Sequence, residues 1–325
     1  MTSSSAGESP RRALGPDAHG ALVLRLRDYL AERFQPQLVL GLLISYAAAA
    51  LYGKAIVSSG ALDVSWKDIV GAAGLIAFFL LARVFDEHKD YAFDVVHLAD
   101  RPLPRGAISW REVDGLAIAA IVVQVVVCLT VDGGLGAVCL WWALAMGYLV
   151  LTRVEFFVRP WLRRHFVTNT ITHLPVYALA SLWAAQIGAE PERLGIEAIW
   201  LALFGYVHTF GIDLWRKSHA PEDERPAVDS YTQQWGTAPA GAATAAAVII
   251  SAGLAAVMLS VADAGAAGGW AALAIAPMAL LVALARFVRA PDRQTNERKR
   301  NLLALTLVAI ELVVIVTLAL DRGLA

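Results

Sequence analysis

Four acidic side chains lie close together directly after the apolar segment 69–81. Asp86, Asp90 and Asp94 recur every four residues, and Glu87 is next to the first of them. On a helix this spacing places the carboxylates along one face, where like charges repel and need a compensating cation. Mg²⁺ prefers oxygen ligands and typically bridges one or two carboxylates to substrate phosphates. We therefore predict a magnesium site here, and we favour it over a solvated charged loop because the acids cluster at the end of an apolar segment.

A second acidic stretch begins with Asp213 at the end of another apolar segment. An acid deep in the bilayer costs about 2.5–3.5 kcal/mol, so Asp213 should have a partner. Arg216 and Lys217 follow, and either could bind a phosphate or simply anchor the helix at the membrane surface. Glu222 and Asp229 lie further along the same stretch. If the two acidic stretches face one cavity, they would suit a diphosphate held by Mg²⁺, Arg and Lys, which neutralise a phosphoryl leaving group.

The composition places these stretches in a membrane protein. The chain has 325 residues, of which 58% are hydrophobic, and apolar segments of about 20 residues recur along it. We predict one domain over residues 20–325, preceded by a disordered cytoplasmic tail over 1–19. The net charge of −1 gives no indication of a nucleic-acid partner. Cys128 and Cys139 are expected to be small buried side chains that form neither a disulfide framework nor a zinc site.

The hydrophobic pattern predicts an all-α polytopic bundle of nine transmembrane helices around a central cavity. The predicted spans are 37–57, 67–85, 112–131, 135–154, 165–185, 195–213, 238–261, 268–288 and 302–320. An amphipathic helix precedes them, with Leu22, Leu26 and Tyr29 opposite Arg25 and Asp28. It would lie either at the membrane interface or against the bundle.

The basic residues predict the orientation of the chain. Lys and Arg concentrate before the first span and after spans 2, 4, 6 and 8, and the alternate loops nearly lack them. By the positive-inside rule, the N-terminus is cytoplasmic and the C-terminus is outside. Both acidic stretches, and hence the active site, then lie on the cytoplasmic side of an inner (plasma) membrane.

The first acidic stretch also carries a family resemblance. Asp86-Glu87-x-x-Asp90-x-x-x-Asp94, followed by Arg101-Pro-Leu-Pro-x-Gly, resembles the first aspartate-rich motif of the UbiA superfamily of intramembrane prenyltransferases. That family usually has Asn-Asp where this chain has Asp86-Glu87. The second stretch matches less well, because Lys217 stands four residues after Asp213, where the family has an aspartate.

The resemblance implies Mg²⁺-dependent transfer of an isoprenyl group from an isoprenyl diphosphate to an aromatic or other small lipophilic acceptor. The segment from Trp161 to Asn169 looks like the family's basic segment and the helix asparagine that follows it. Arg101 would either pair with the diphosphate or with Asp94, or fix the loop through its neighbouring prolines. Tyr206 and Phe210, which share a span with Asp213, are the aromatic residues best placed to stabilise an allyl cation. His173 and His208 are either pocket bases or hydrogen-bonded structural residues.

The predicted site residues fall into three groups. The catalytic group is Asp86, Asp90, Asp94, Asp213 and Lys217. The substrate-binding group is Arg101, Arg163, Arg164, Asn169, Tyr206, Arg216, Glu222 and Asp229. The metal-binding group is Asp86, Glu87, Asp90, Asp94 and Asp213. Two other functions stay open at this point: an intramembrane terpene cyclase of the same family, and a membrane transporter or non-catalytic scaffold. The acids lie at helix ends and not at the midplane where transport sites usually lie, which disfavours a transporter.

Overall fold

The computed structural model describes residues 20–225, 228–265 and 267–324, and these ranges consist mainly of helices joined by turns and loops. Among the described residues, the only strand-like pairing is a single bridge between Leu62 and Leu324. The all-α prediction is therefore confirmed. The tail predicted over residues 1–19 lies outside the described residues.

Fourteen α-helices follow one another along the described chain. They are α1 (Leu22–Arg33), α2 (Pro36–Val57), α3 (Trp66–His97), α4 (Trp110–Asp132), α5 (Ala137–Arg153), α6 (Arg159–Leu162), α7 (Phe166–His173), α8 (Pro175–Ala189), α9 (Ile199–Arg216), α10 (Tyr231–Trp235), α11 (Thr237–Val261), α12 (Ala267–Ile275), α13 (Met278–Arg289) and α14 (Arg293–Arg322). In the described part of the chain, seven helical segments are long and apolar enough to cross a membrane. They are α2, α3, α4, α9 with its preceding turn, α11, the pair α12 and α13, and α14. The two remaining predicted spans correspond to the shorter apolar α5 and to the pair α7 and α8. The protein is a multi-pass membrane protein.

Two helices extend well beyond their predicted spans. At 32 residues α3 is about 48 Å long, more than the roughly 30 Å hydrocarbon core, so its C-terminal end projects with the first acidic stretch on it. Helix α14 begins at Arg293, nine residues before the predicted span. A capping box explains this start: Asp292 accepts from the Thr295 amide at 2.8 Å, and the Thr295 hydroxyl accepts from the Asp292 amide at 3.2 Å.

A proline divides the predicted fifth span into α7 and α8. Pro175 has no N–H to donate to the carbonyl of Ile171, four residues earlier. The hydroxyl of Tyr206 donates to that carbonyl instead, at 3.3 Å. The hydroxyl of Tyr148 donates to the next carbonyl, that of Thr172, at 2.9 Å. Tyrosines from α5 and α9 thus satisfy backbone groups that the break leaves without helical partners.

The chain divides into two compact units. The first contains the described residues up to Leu40 and Ile76–Gln124. Its core is a cluster of Tyr29, Val84, Leu103, Ile108 and Val113. Helix α1 therefore packs against protein, the second of its two predicted placements.

Ion pairs reinforce the packing of α1 within the first unit. Arg25 pairs with Glu112 of α4, and Arg33 Nε lies 2.6 Å from Glu87 Oε1 of α3. Glu32 pairs with Arg105 of the loop after α3. Every one of these pairs joins α1 to another element.

The second unit contains Gly41–Leu75 and the described residues from Val125 onward. Within this unit, helix α9 packs against α8, α11 and α14. Where α2 crosses α8, small residues bring the backbones close together: a Cβ on Gly53 would lie 2.1 Å from the Ala185 carbonyl oxygen, and one on Gly188 would lie 2.2 Å from that of Ala50. No larger side chain fits at either glycine, a packing mode typical of membrane helices.

Candidate active site

The acidic end of α3 is helical, as its spacing predicts, and two of its acids are already neutralised. Glu87 is 2% exposed and paired with Arg33. Asp94 is 1% exposed, and its Oδ2 accepts from Arg101 Nη1 at 2.6 Å. The two acids are seven residues apart and therefore lie on one face of the helix. Arg101 thus pairs with Asp94, which is one of the roles predicted for it.

The other two acids lie on the half-buried side of the same helix end. Asp86 is 3.1 Å from Lys89 Nζ and 3.9 Å from an Arg83 guanidinium nitrogen. Asp90 is also half-buried. Asp86 and Asp90 are one helical turn apart, and their carboxylates are more accessible than that of Glu87.

The donor set at this helix end fits Mg²⁺. Asp94 Oδ1 is buried without a hydrogen-bond partner among the described residues, so one carboxylate oxygen keeps its lone pairs. In the described ranges, no three His, Cys, Asp or Glu side chains converge closely enough to enclose a metal ion by themselves. Mg²⁺ does not require such a cage, because it commonly takes one or two carboxylates and completes its shell with waters and substrate phosphates.

The loop after α3 is folded into successive turns. The amides of Arg105 and Ala107 donate to the carbonyls of Arg101 and Pro102, at 3.1 and 2.9 Å. Gly106 has a φ of 77°, a left-handed conformation that favours glycine and allows the chain to turn here. Leu103 is buried in the core of the first unit. This turn arrangement holds Arg101 beside Asp94.

Asp213 lies near the end of α9 in the second unit and is 9% exposed. Lys217 Nζ is 2.9 Å from Oδ1. The hydroxyls of Tyr231 and Thr170 donate to Oδ2 at 2.7 and 3.3 Å. Both carboxylate oxygens therefore have partners, as expected for an acid at the end of an apolar helix. A metal ion at Asp213 would have to displace them, so the donor set fits Mg²⁺ less well here than at Asp94.

Aromatic rings surround the Asp213 group, which consists of Asp213, Lys217, Thr170 and Tyr231. Tyr231 contacts Phe166, Trp235 and Phe210, with ring centroids 4.9, 4.8 and 6.0 Å apart. Lys217 Nζ lies 5.2 Å from the centre of the Phe166 ring. Burial and then the negative charge of Asp213 raise the pKa of the Tyr231 phenol above its usual value. Tyr231 is consequently a neutral hydrogen-bond donor to Asp213.

Thr170 and Tyr231 are not among the site residues predicted from the sequence. Tyr231 lies in the second acidic stretch, and Thr170 is adjacent to the predicted site residue Asn169. One feature of the sequence does point to such residues. Burying the carboxylate of Asp213 costs free energy unless it is paired, and hydroxyl donors can pair with it as well as cations. The donors themselves are 43 residues before and 18 residues after Asp213, so only the packing of α7 and α10 identifies them.

Other predicted site residues make their observed contacts elsewhere. Arg163 lies 4.0 Å from buried Glu155, and Arg164 Nε donates to the Pro160 carbonyl at 3.0 Å. Arg216 is exposed at the end of α9. The structure therefore places these arginines at the chain surface or in local ion pairs.

Glu222 and Asp229, two further residues of the predicted substrate-binding group, also have other partners. Glu222 accepts from the Arg293 amide at 2.7 Å, at the start of α14. Asp229 accepts from the Gln234 side chain at 3.1 Å. Neither contacts Asp213 through the hydrogen bonds observed among the described residues.

His173 and His208, the two histidines considered as pocket bases, each contact polar groups of the protein itself. His173 Nδ1 donates to the Asn169 carbonyl at 2.6 Å. His208 is 5% exposed, with Nε2 3.8 Å from Glu311, which itself accepts from Ser45 at 2.7 Å. The hydrogen-bonded interpretation of His173 matches this geometry, and His208 belongs to a buried polar group in the second unit.

Comparisons with known proteins agree with the fold. The model of the UbiA prenyltransferase family matches residues 42–308. Among solved structures, a digeranylgeranylglyceryl phosphate synthase has a TM-score of 0.62 at 14% identity, covering 91% of this chain and 99% of that one. A UbiA homologue from Aeropyrum pernix K1 has a TM-score of 0.59 at 15% identity, covering 86% and 98%. At these identities the two structures show a shared fold only. No curated protein matches the chain. Because the family model spans most of the sequence, the chain belongs to the UbiA prenyltransferase family.

Proposed function

We propose that the protein transfers an isoprenyl group from an isoprenyl diphosphate to an aromatic or other small lipophilic acceptor within the membrane, in a reaction that depends on Mg²⁺. The observation that carries the proposal is the acidic end of α3, where one buried oxygen of Asp94 has no hydrogen-bond partner among the described residues. Family membership supplies the reaction class. We further propose that the active site faces the cytoplasm.

In this proposal Asp86, Asp90 and Asp94 would hold Mg²⁺. Bound Mg²⁺ would neutralise the negative charge that develops on the departing pyrophosphate. Glu87 is committed to Arg33 and has a positioning role. Arg101 binds Oδ2 of Asp94 and so fixes the orientation of the carboxylate.

The Asp213 group would act through fixed charge. Lys217 keeps a side chain that is 32% exposed while it pairs with Asp213, so its ammonium can also donate to a phosphate oxygen. Tyr231 and Thr170 hold the carboxylate that orients the ammonium. The lysine would thus supply positive charge at the position where the family has a second metal-binding aspartate.

The membrane-embedded helices would protect the reactive carbon. Loss of pyrophosphate leaves an allyl cation, which the acceptor attacks before losing a proton. Apolar spans exclude water that would otherwise capture the cation. Tyr206 already donates its hydroxyl to Ile171, which fixes the ring in one orientation.

The test is incubation of membranes containing the protein with radiolabelled isoprenyl diphosphates of several chain lengths, with and without EDTA. We expect pyrophosphate release with Mg²⁺ and a prenylated product when an acceptor is present. A terpene hydrocarbon or alcohol formed from geranylgeranyl diphosphate alone would identify a cyclase instead. Absence of pyrophosphate release with every donor would leave a transporter or scaffold.

The proposal assigns a role in the reaction to each acidic stretch, and each role is tested by itself. We expect Asp90→Asn and Lys217→Ala each to lower kcat/KM. Arg298→Ala, at an exposed position on α14, is the matched control and should leave kcat/KM unchanged. A Lys217→Ala variant with full turnover would contradict the role given to the lysine.

A further inference from the structure

The second unit contains a buried lysine with no carboxylate partner. Lys299 of α14 is 2% exposed, and none of the ion pairs among the described residues includes it. Its Nζ donates to the Ser218 carbonyl at 3.3 Å and lies 4.1 Å from the centre of the Phe287 ring. An ammonium has three donors, and removing it from water without full compensation is costly. One long hydrogen bond and one cation–π contact leave this ammonium incompletely compensated.

Two buried polar side chains next to Lys299 also lack partners. Ser218, whose carbonyl binds the ammonium, is 3% exposed, and its hydroxyl has no hydrogen-bond partner among the described residues. Asn296, one helical turn before Lys299, is 2% exposed, and its amide oxygen is likewise unsatisfied there. An amide can present either its oxygen or its nitrogen to a ligand, since the two are interchangeable by a flip. Each unsatisfied buried group costs free energy that a ligand would recover.

The surrounding charge favours an anion. Arg300 lies with its guanidinium 5.6 Å from the Trp215 ring, next to Lys299 in sequence. Glu224, the acid of this region, has its oxygens held by the hydroxyls of Ser230 and Thr232. It forms no ion pair with Lys299 among the described residues, so its carboxylate does not occupy the ammonium.

We propose that Lys299, Asn296 and Ser218 form a binding site for a phosphate group. A tetrahedral phosphate would accept hydrogen bonds from the ammonium, the hydroxyl and the amide at once, which satisfies all three. The site adjoins the Asp213 group through the backbone: the Tyr231 amide donates to the Lys217 carbonyl at 2.8 Å, and Lys299 binds the next carbonyl, that of Ser218. Its occupancy does not depend on prenyl transfer.

The experiment measures anion binding to the full-length protein, purified in a phosphate-free neutral detergent without Mg²⁺ or isoprenyl substrate. Three probes identify the source of the phosphate: inorganic phosphate, pyrophosphate and phosphatidylglycerol in mixed micelles. Binding is read by the thermal unfolding midpoint at constant ionic strength and by equilibrium dialysis with the radiolabelled anions. Lys299→Gln is compared with Arg298→Gln, which removes an exposed charge from the neighbouring position of α14.

We expect saturable binding of at least one probe by the wild-type protein and by Arg298→Gln. Lys299→Gln should weaken that binding by at least about tenfold, the loss expected for a charge-assisted hydrogen bond. Ser218→Ala and Asn296→Ala should each weaken it as well, and they decide the matter if Lys299→Gln does not fold. The proposal is overturned if no probe binds saturably, or if binding is equal in the wild-type and in the Lys299, Ser218 and Asn296 variants. Because no turnover is measured, a failed prenyl-transfer assay would leave this result unaffected.

Discussion

The acids of the two motifs differ in how completely other side chains of the protein neutralise them. Glu87 is committed to Arg33, and both oxygens of Asp213 are engaged. Asp94 is intermediate, because Arg101 binds one oxygen and the other is unpartnered among the described residues. Residues with identical chemistry in the sequence therefore have different expected effects when substituted.

The first prediction compares Asp90→Asn with Glu87→Gln. Removing Asp90 should lower kcat/KM by about 10²–10³-fold, because the Mg²⁺ that would stabilise the leaving group loses one of its proposed carboxylate ligands. Removing Glu87 should instead destabilise the protein by up to about 3–5 kcal/mol, because Arg33 is left without its buried partner. Steady-state kinetics and thermal unfolding measured on both variants distinguish the roles. A Glu87→Gln variant of unchanged stability would contradict the structural assignment.

The second prediction concerns Tyr231→Phe. Loss of the hydrogen bond to ionised Asp213 should cost about 1.5–3 kcal/mol of stability. The raised pKa keeps Tyr231 protonated in the folded state, so its contribution is fully present below the ordinary tyrosine pKa of about 10 and is lost only as the pH rises through the raised value. The difference between wild-type and variant should therefore be constant between about pH 6 and pH 9. Denaturant unfolding across that range is the measurement, and a difference that disappears within it would refute the assignment.

At the scale of helices, the hydrophobic pattern located the membrane spans well but not their ends and breaks. The first acidic stretch continues α3 to His97, because charged residues with local ion pairs such as Asp86 with Lys89 are compatible with a helix outside the bilayer. The break at Pro175 is readable from the sequence, but the two tyrosines that satisfy it come from other helices. Local patterns identify helices, whereas neighbours decide where an irregular backbone is tolerated.

The third prediction tests that compensation. Tyr206→Phe should destabilise the protein by about 1 kcal/mol or more, because the Ile171 carbonyl loses its donor. Adding Pro175→Ala supplies the missing backbone N–H, so the double variant should recover most of this loss. Thermal unfolding of the two single variants and the double variant forms the cycle. Additive destabilisation in the double variant would show that the tyrosine does not substitute for the proline's missing donor.

At the scale of the whole molecule, the alternation of basic and bare loops predicts opposite locations for the two termini. Fusions of alkaline phosphatase and of green fluorescent protein to the C-terminus test this fourth prediction. We expect an active phosphatase and no fluorescence, because the C-terminus should lie outside the cytoplasm. The same fusions in the loop after α3 should give the reverse pattern, and a fluorescent C-terminal fusion would rule out the predicted orientation.

The sequence by itself determined the all-helical membrane class, the positions of the spans and the family, because runs of apolar residues and the motif from Asp86 to Gly106 are local in the chain. Only the tertiary structure decided which acids are neutralised and by which residues. Arg33 lies 54 residues from Glu87, and Thr170 lies 43 residues from Asp213. Pairing over such separations depends on how helices pack, and no spacing rule along the chain encodes it.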